Sequence, residues 1–393
     1  MQQALEGSQA IARVVARCRP AVISAYPITP QTHIVENLAR LVADGELAAE
    51  VVSVESEFSA ASVALGAVAA GSRAYTASAS QGILLMSEVL YNIAGMRLPV
   101  VMTCANRALS APLSIWNDQQ DSMAVRDAGW IQLYCADNQE AVDTMVQAYR
   151  IAERTELPVM VCMDGFTLTH TLELLDVPDQ GLVDAYLPPF AFERALRPDH
   201  PTSMGTLVSP DYYAEARHAH HQAILDAEAE ILDADRTWAE LSGRACGGLL
   251  ASEGPEEARV GILCMGSVFG TLAEARTRDQ EGPPVRLLRL RAFRPFPAEA
   301  LRAACAGLET LIVLERALSP GGGGILGPEV AAALYGRPGA PEIRNFAVGL
   351  GGRDVPLALY GRLLADLEGP ATPFRIFDLE PERLEPGERG RRP

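Results

Sequence analysis

The chain of 393 residues contains no lysine, and all 33 of its basic residues are arginines. This absence excludes mechanisms that need a lysine amine, such as Schiff-base catalysis, attachment of pyridoxal phosphate and the lysine of a phosphate-binding loop. The 50 acidic residues bring the formal net charge to −17. Nucleic acids and anionic membranes bind clustered positive charge, so we expect neither as a partner.

Clustered cysteines are also absent, although the chain has 7 cysteines. No two of them have the C-x-x-C spacing of a zinc ribbon or of an iron–sulfur ligand set. Most lie in apolar runs, which is typical of reduced thiols in the core of a cytoplasmic protein. The sequence shows no signal peptide and no apolar run of the ~20 residues that a membrane span needs. We therefore expect a cytoplasmic chain with no metal ligands of its own.

Short apolar runs alternate with helical patterns, which predicts an α/β fold. Strands rich in valine and isoleucine and separated by helices are typical of βαβ units around a parallel sheet. Catalytic groups in such sheets gather at the carboxyl ends of the strands. Predicted strands in the first half are Ala21–Tyr26, Val51–Val54, Arg73–Ala77, Pro99–Cys104, Ile131–Tyr134 and Pro158–Met163. Those in the second half are Val260–Met265, Val285–Leu290, Thr310–Leu314 and Ile343–Phe346.

The pattern divides the chain into two parallel-sheet domains. The first is predicted over residues 1–245 and includes an extended, proline-rich arm at about 171–210. The stretch 243–257 favours a linker, and the second domain is predicted over 256–378. The charged, proline- and glycine-rich tail at 379–393 is expected to be flexible.

A loop with two prolines, Tyr26–Pro30, directly follows the first predicted strand. The prolines forbid a helix and would present the Thr29 hydroxyl at the carboxyl end of a central strand. A strand-to-helix turn with Thr29 near the helix N-cap is the alternative, and the pattern alone favours it.

Two charged side chains are further candidates. Glu57 begins a helix made almost only of small and apolar residues, so its carboxylate should be buried with the helix and need a partner. Complementing the helix dipole is the alternative role, and Glu55 could serve in its place. Arg107 follows another strand, where it could pair with a substrate carboxylate or form a structural ion pair.

Two other patterns are weaker. The loop Gly322–Gly327 matches G-x-G-x-x-G, but the acid expected about 20 residues later could only be Glu342, which lies in a turn before the wrong strand. The cluster of His218, His220 and His221 near Glu215 falls on a long polar helix, which favours a solvated face over a metal site.

Several motifs follow one another in order along the chain. They are Tyr26–Thr32 (YPITPQT), Glu55–Ala60 (ESEFSA), Ser80–Gly82 (SQG), Leu113–Asp118 (LSIWND), Met163–Phe166 (MDGF), Phe293–Pro297 (FRPFP) and Gly349–Asp354 (GLGGRD). Together they resemble the α subunit of pyruvate:ferredoxin oxidoreductase, and more broadly the 2-oxoacid:ferredoxin oxidoreductase family, over nearly the whole chain. Two positions depart from the family pattern, since Asn117 stands where glycine is expected and Phe58 where histidine is frequent.

The resemblance implies that the first domain is the pyrimidine-binding half of a thiamine diphosphate site and the second a transketolase C-terminal-like domain. Glu57 would contact N1′ of the aminopyrimidine and favour the imino tautomer, whose 4′-nitrogen takes the C2 proton. Pro27 and Gln81 would also bind the cofactor. Arg107 and Thr29 would hold the 2-oxo acid and act as catalytic residues.

The parts that the chain lacks imply partners. A thiamine site needs Gly-Asp-Gly to hold Mg²⁺ and diphosphate, and that sequence does not occur here. The resemblance therefore implies a β subunit that completes the thiamine diphosphate site with Mg²⁺. Further γ and δ subunits would complete the complex, in which the partners carry the iron–sulfur clusters and ferredoxin docks on another subunit.

The implied reaction is the oxidative decarboxylation of pyruvate to acetyl-CoA and CO₂ with reduction of ferredoxin. Branched-chain 2-oxo acids such as 2-oxoisovalerate, and also 2-oxoglutarate, are alternative substrates within the family. From other classes, a non-catalytic assembly subunit and an enzyme that binds NAD at Gly322–Gly327 remain open.

Overall fold

The computed structural model describes residues 2–279 and 282–388, over which strands and helices alternate. The strands are β1 Gln3–Glu6, β2 Val22–Ala25, β3 Glu50–Ser53, β4 Ala74–Ser78, β5 Val101–Asn106, β6 Ile131–Tyr134, β7 Val159–Asp164, β8 Leu172–Leu175, β9 Leu250–Glu253, β10 Val260–Cys264, β11 Val285–Leu290, β12 Ala292–Arg294, β13 Thr310–Glu315, β14 Glu342–Ala347 and β15 Arg375–Ile376. The α-helices are α1 Gly7–Cys18, α2 Thr32–Ala43, α3 Glu57–Ala69, α4 Ser80–Gly95, α5 Gln120–Ala124, α6 Asn138–Thr155, α7 Gln180–Tyr186, α8 Pro210–Ser242, α9 Val268–Arg278, α10 Ala298–Ala304, α11 Leu326–Leu334 and α12 Ala358–Ala365.

The first sheet has seven strands in the order β12–β6–β7–β5–β4–β2–β3. Six of them are parallel, and only β12 runs antiparallel to its neighbour β6. Every residue of β5 and β7 is buried, as expected for central strands covered by helices on both faces. The α/β fold predicted from the alternating pattern is confirmed.

The second sheet has six strands in the order β15–β14–β13–β10–β11–β9. All are parallel except β9, which pairs antiparallel with β11. Strand β9 lies inside the stretch 243–257 that the sequence favours as a linker, and β12 joins the first sheet from the second half of the chain. The domain ranges 1–245 and 256–378 stay predictions.

Regular structure also occurs in the segment at about 171–210 that we expected to be an extended arm. Its first part, β8, pairs antiparallel with β1, and α7 follows. Helix α8 then covers α6 with a buried stripe that includes Ile231 and Trp238. At the end of the chain, a 3-10 turn occupies Pro381–Arg383, and residues 389–393 of the expected flexible tail lie outside the described residues.

Two arginines connect the end of β11 in the second sheet to helix α6. Arg289 and Arg291, which flank the end of β11, both form ion pairs with Glu140 of α6. Arg291 is completely buried and also donates a hydrogen bond to Gln147 Oε1 at 2.7 Å. Burial raises the pKa of Glu140, and the two arginines counter this effect.

All seven cysteines are free and buried. Burial raises the pKa of Cys264 and of Cys246 to about 12, so both thiols stay protonated at neutral pH. Within the described ranges, no helix combines the length and the apolar character needed to cross a bilayer.

Candidate active site

The candidate residues meet at one edge of the first sheet. Strands β2, β4, β5 and β7 are parallel, so their carboxyl ends lie on the same edge. The loop with Thr29 follows β2, and Arg107 directly follows β5. Helix α4 carries Gln81 in its first turn, directly after β4, and Glu57 begins α3 after the neighbouring strand β3.

Glu57 is buried, with 7% of its surface exposed. The preceding Ser56 caps α3 by accepting a hydrogen bond from the Ser59 N–H at 3.2 Å, and this fixes Glu57 in the first turn. The carboxylate has no ion pair and no hydrogen bond within residues 2–279 and 282–388. A helix N-terminus stabilises such a charge only partly, so the carboxylate is suited to a polar group brought by a ligand.

Helix α4 leaves room for this carboxylate through a glycine. A Cβ atom at Gly82 would lie 2.7 Å from Glu57 Oε1 and would also collide with Ser78 Oγ. Ser78 Oγ is itself buried without a hydrogen-bond partner among the described residues. Two buried polar groups without partners among the described residues therefore lie on either side of Gly82, where they could hold the polar edge of a cofactor.

Arg107 and Thr29, predicted separately from the sequence, lie in contact. The Arg107 Nη1 donates a hydrogen bond to the Thr29 carbonyl oxygen at 2.9 Å, and Nε donates to the Ser114 carbonyl oxygen at 3.0 Å. The described residues provide no ion-pair partner for this guanidinium, so the alternative of a structural ion pair is not what the structure shows. Its Nη2 has no hydrogen bond among the described residues and remains available for a carboxylate.

The loop after β2 is held by a residue that sequence reasoning missed. Gln31 is completely buried, donates to the Ala77 carbonyl oxygen of β4 at 2.9 Å and accepts from the Ile28 N–H at 3.2 Å. Gln31 also occupies the N-cap position of α2, so Thr29 lies two residues before the N-cap, in a strand-to-helix turn as the alternative predicted. Thr29 is exposed, as is Pro27.

Gln81 is half-buried beside the loop after β5. Its Oε1 lies 2.5 Å from Ser80 Oγ, and its Nε2 lies 3.5 Å from the Ser110 carbonyl oxygen. The side chain therefore bridges the start of α4 and the segment that follows Arg107.

Asp121 of α5 is a second buried residue that sequence reasoning missed. It accepts hydrogen bonds from the backbone N–H groups of Ser80, Arg107 and Ser122 and from Asn106 Nδ2, all at 2.8–2.9 Å. Burial raises the pKa of Asp121 to about 6, and these donors oppose the rise. No local pattern in the sequence distinguishes it from Asp118 three residues earlier, because all but one of its donors come from other elements.

Asp118 and Asn117 face the second half of the chain. Asp118 accepts a hydrogen bond from the Gly351 N–H at 3.1 Å, and burial raises its pKa. Asn117, one of the two departures from the family pattern, is buried, and neither polar atom of its side chain has a hydrogen-bond partner among the described residues. The other departure, Phe58, is 39% exposed beside Glu57.

The glycine-rich loop Gly322–Gly327 is already occupied by a carboxylate of the chain. Buried Glu315 accepts hydrogen bonds from the backbone N–H groups of Ile325, Leu326 and Gly327 at 2.5, 2.9 and 3.2 Å. These are the donors that would hold a phosphate in a dinucleotide site. The structure therefore gives no support to NAD binding at this loop.

Metal-type donors gather in one place that the sequence did not single out. In the described part of the chain, the donor atoms of Glu6, His33 and His170 lie within 4.8 Å of one another. Glu6 already accepts a hydrogen bond from the start of α1, and its carboxylate lies 2.8 Å from His33 Nδ1. These contacts account for the position of the Glu6 side chain without a metal ion. His220, from the cluster expected on a solvated face, is instead buried against the Gly129 carbonyl oxygen.

Comparison with known protein families places both halves of the chain. Residues 13–236 match the family described as pyruvate flavodoxin/ferredoxin oxidoreductase, thiamine diphosphate-binding. Residues 258–358 match core domain II of pyruvate:ferredoxin oxidoreductase.

Curated relatives are similar over nearly their whole length. The chain is 44% identical to pyruvate synthase subunit PorA of Methanosarcina barkeri, over 97% of both chains. It is 46% identical to the PorA subunit of Methanothermobacter thermautotrophicus, over 96% of this chain and 98% of the relative. It is 38% identical to the ketoisovalerate oxidoreductase subunit VorA of Pyrococcus abyssi, over 94% of both chains.

A solved structure has the same fold. It is the 2-oxoglutarate:ferredoxin oxidoreductase of Magnetococcus marinus with 2-oxoglutarate, coenzyme A and succinyl-CoA bound, which aligns with a TM-score of 0.71 at 22% identity. The alignment covers 93% of this chain and 65% of that chain.

Proposed function

Because this chain belongs to the pyruvate:ferredoxin oxidoreductase family, we propose that it is the α subunit of an enzyme that oxidatively decarboxylates pyruvate. The complex would convert pyruvate and CoA to acetyl-CoA and CO₂ and pass the electrons to ferredoxin. The observation that carries this proposal is the buried Glu57 carboxylate, which has no partner among the described residues at the edge where the candidate residues meet.

Glu57, Gly82 and Ser78 fit the polar edge of an aminopyrimidine. The carboxylate of Glu57 would accept a hydrogen bond from N1′, and the absent Cβ of Gly82 lets the ring approach the start of α4. Gln81 and Pro27, at the same edge, would also contact the cofactor. When bound, thiamine diphosphate would supply the carbanion chemistry of decarboxylation. The protein would select the tautomer of the aminopyrimidine, orient the cofactor and substrate, and provide the charged side chains that bind them.

Arg107 and Thr29 fit the substrate carboxylate. The Nη2 of Arg107, which has no hydrogen bond to the described part of the chain, can donate a charge-assisted hydrogen bond to that carboxylate, and the exposed Thr29 lies beside Arg107. Burial lowers the pKa of Arg107, and the charge of nearby Asp121 opposes this shift. We assign both residues to binding of the 2-oxo acid.

A partner subunit would complete the site. The chain contains no Gly-Asp-Gly sequence for Mg²⁺ and diphosphate, and its seven buried cysteines are unclustered. Five large apolar side chains near the candidate residues are 39–76% exposed, which suits a protein interface. They are Phe58, Leu85, Leu113, Ile115 and Trp116. We propose a β subunit with the Mg²⁺–diphosphate half at this face, and γ and δ subunits in the same complex, with the iron–sulfur clusters in the partners.

Pyruvate is the first choice of substrate because six PorA relatives are 41–46% identical to this chain, whereas two VorA relatives are 38% identical. 2-Oxoisovalerate is the second candidate. The free buried thiols are typical of a reducing compartment, so we place the complex in the cytoplasm.

The decisive test is Glu57→Gln in the purified complex. Removing the charge that favours the imino tautomer should slow exchange of the thiamine C2 proton by about 10²–10⁴-fold, the usual contribution of acid–base catalysis. Exchange into deuterated water can be followed by NMR, with bound thiamine diphosphate quantified separately.

Glu55→Gln is the matched control, because Glu55 is exposed and hydrogen-bonded to Ser59. It should leave the exchange rate unchanged. Near-normal exchange in the Glu57 variant would favour a non-catalytic assembly subunit. Assays of the unmodified complex with pyruvate, 2-oxoisovalerate and 2-oxoglutarate side by side test the choice of substrate.

A further inference from the structure

The Asp121 carboxylate connects the two sides of the candidate site. It has no exposed surface and lies beneath the loops that follow β4 and β5. Its Oδ2 accepts hydrogen bonds from the Ser80 N–H at 2.8 Å and from the Arg107 N–H at 2.9 Å. Its Oδ1 accepts from Asn106 Nδ2 and from the Ser122 N–H, both at 2.8 Å.

Each of the two N–H groups that donate to Oδ2 belongs to a segment that we expect to contact a ligand. The Arg107 N–H fixes the backbone from which the guanidinium reaches the Thr29 carbonyl oxygen. The Ser80 N–H fixes the first residue of α4, directly before Gln81 and Gly82. One oxygen atom therefore sets the spacing between the proposed substrate arginine and the wall that faces Glu57.

Ser80 needs this support because of its backbone conformation. Its φ of 49° is in the left-handed region, which is unfavourable for a residue with a side chain. The Asp121 carboxylate and the Ala108 carbonyl oxygen, which accepts from Ser80 Oγ at 2.5 Å, hold it in place.

We propose that Asp121 is a positioning residue, which fixes the Arg107 guanidinium relative to the α4 wall of the thiamine site and so sets the affinity for the 2-oxo acid. The inference rests on the proposed function. It follows from geometry, because an arginine holds a carboxylate through directional, charge-assisted hydrogen bonds, which weaken when the guanidinium is displaced.

The test uses Asp121→Asn in the complete complex. The amide keeps the shape but removes the charge and one acceptor, so the Ser80 and Arg107 backbones should loosen. We expect KM for pyruvate to rise by about 10-fold or more, with a smaller change in kcat. Hydrogen exchange measured by mass spectrometry should become faster in peptides that contain residues 80–82 and 106–108.

Asp235→Asn is a matched control for the loss of a buried carboxylate. Asp235, on α8, accepts hydrogen bonds from the Cys246 N–H at 2.7 Å and the Gly248 N–H at 2.8 Å, and also from Gln147 Nε2 at 3.1 Å. None of these groups belongs to the candidate site. The Asp235→Asn variant should lose about as much thermal stability as the Asp121→Asn variant, but its KM for pyruvate should stay unchanged.

A double-mutant cycle separates positioning from general damage. If Asp121 acts through Arg107, the Asp121→Asn change should add little to KM in an Arg107→Ala background. Asn106→Ala removes one donor to Asp121 and should raise KM in the same direction by a smaller factor, which keeps the test available if Asp121→Asn does not fold.

The outcomes are distinguishable. Unchanged KM in the Asp121 variant of a complex that turns over pyruvate would overturn the role of Asp121 and leave the proposed function standing. Fully additive effects of the Asp121 and Arg107 changes would also overturn it. An unmodified complex that turns over none of the three 2-oxo acids would overturn the proposed function itself.

Discussion

Gly82 is the residue whose lack of a side chain most directly shapes the candidate site. We predict that Gly82→Ala weakens binding of thiamine diphosphate by about 10-fold or more, because relieving such overpacking requires about 1–3 kcal/mol. The new Cβ would lie 2.7 Å from Glu57 Oε1, so the carboxylate would have to move. Titration of the complex with the cofactor, together with the C2-proton exchange rate, measures both effects.

Gly66→Ala in α3 is the control for the helix backbone. A Cβ at Gly66 meets no atom within 4 Å, so the change should stabilise the helix by about 0.5–1 kcal/mol and leave cofactor binding unaltered. Normal cofactor affinity in the Gly82 variant would show that Glu57 does not face the cofactor at α4.

For single residues, the sequence identifies candidates whose role can be inferred from their neighbours along the chain. Glu57 was predicted because a charge at the start of an apolar helix is visible in the sequence, and its burial is confirmed. Asp121 and Gln31 could not be found in this way, since their partners come from β4, β5 and other segments distant along the chain. That Glu57, Arg107 and Thr29 act on cofactor and substrate stays a prediction.

The N-terminus of helix α11 is capped by the buried carboxylate of Glu315, at the position where a dinucleotide site would bind a phosphate. We predict that Glu315→Gln lowers the free energy of unfolding of the second sheet by about 2–3 kcal/mol, because charge-assisted hydrogen bonds to three backbone N–H groups are weakened. Faster amide exchange at residues 325–329 would locate the effect.

Glu342→Gln provides the comparison, since Glu342 lies on the adjacent strand β14 and its side chain is 52% exposed beside Arg344. A partly exposed pair of this kind contributes about 0–1 kcal/mol. Equal unfolding midpoints for the Glu315 and Glu342 variants would contradict the role assigned to Glu315.

Whether a strand could be predicted depended on how clearly its residues form an apolar run. The central strands β5 and β7 are buried throughout and were predicted from their apolar runs. Strand β9 (LASE) ends in two exposed residues and β12 has only three residues, so neither contains an apolar run that stands out in the sequence. Both exist because an edge strand is available to pair with them, which is a tertiary cause that the local sequence does not show.

Across the whole molecule, buried polar contacts at the carboxyl end of β7 join the two sheets. Asp164, at the end of β7, accepts hydrogen bonds from the Ser267 N–H at 2.9 Å and from Arg316 Nη1 at 3.3 Å. Arg316 also donates to the Gly349 carbonyl oxygen at 3.2 Å. The loop that leads to Asp118 is thereby fixed to both halves of the chain, because the Gln119 N–H donates to the Arg316 carbonyl oxygen at 2.7 Å.

Arg316→Met therefore tests whether the two halves fold as one unit. Removing the guanidinium leaves a buried carboxylate short of a partner, which should reduce the free energy of unfolding by about 3–5 kcal/mol. We expect urea unfolding followed by hydrogen exchange to show residues 347–353 and 113–119 opening before the centre of the first sheet.

Arg259→Met, which removes an exposed arginine 3.8 Å from Glu309, should change the free energy of unfolding by less than about 0.5 kcal/mol. If the Arg316 variant still unfolds in one step with unchanged exchange in both segments, the contacts of β12 and of Glu140 with Arg289 and Arg291 would be sufficient to hold the halves together.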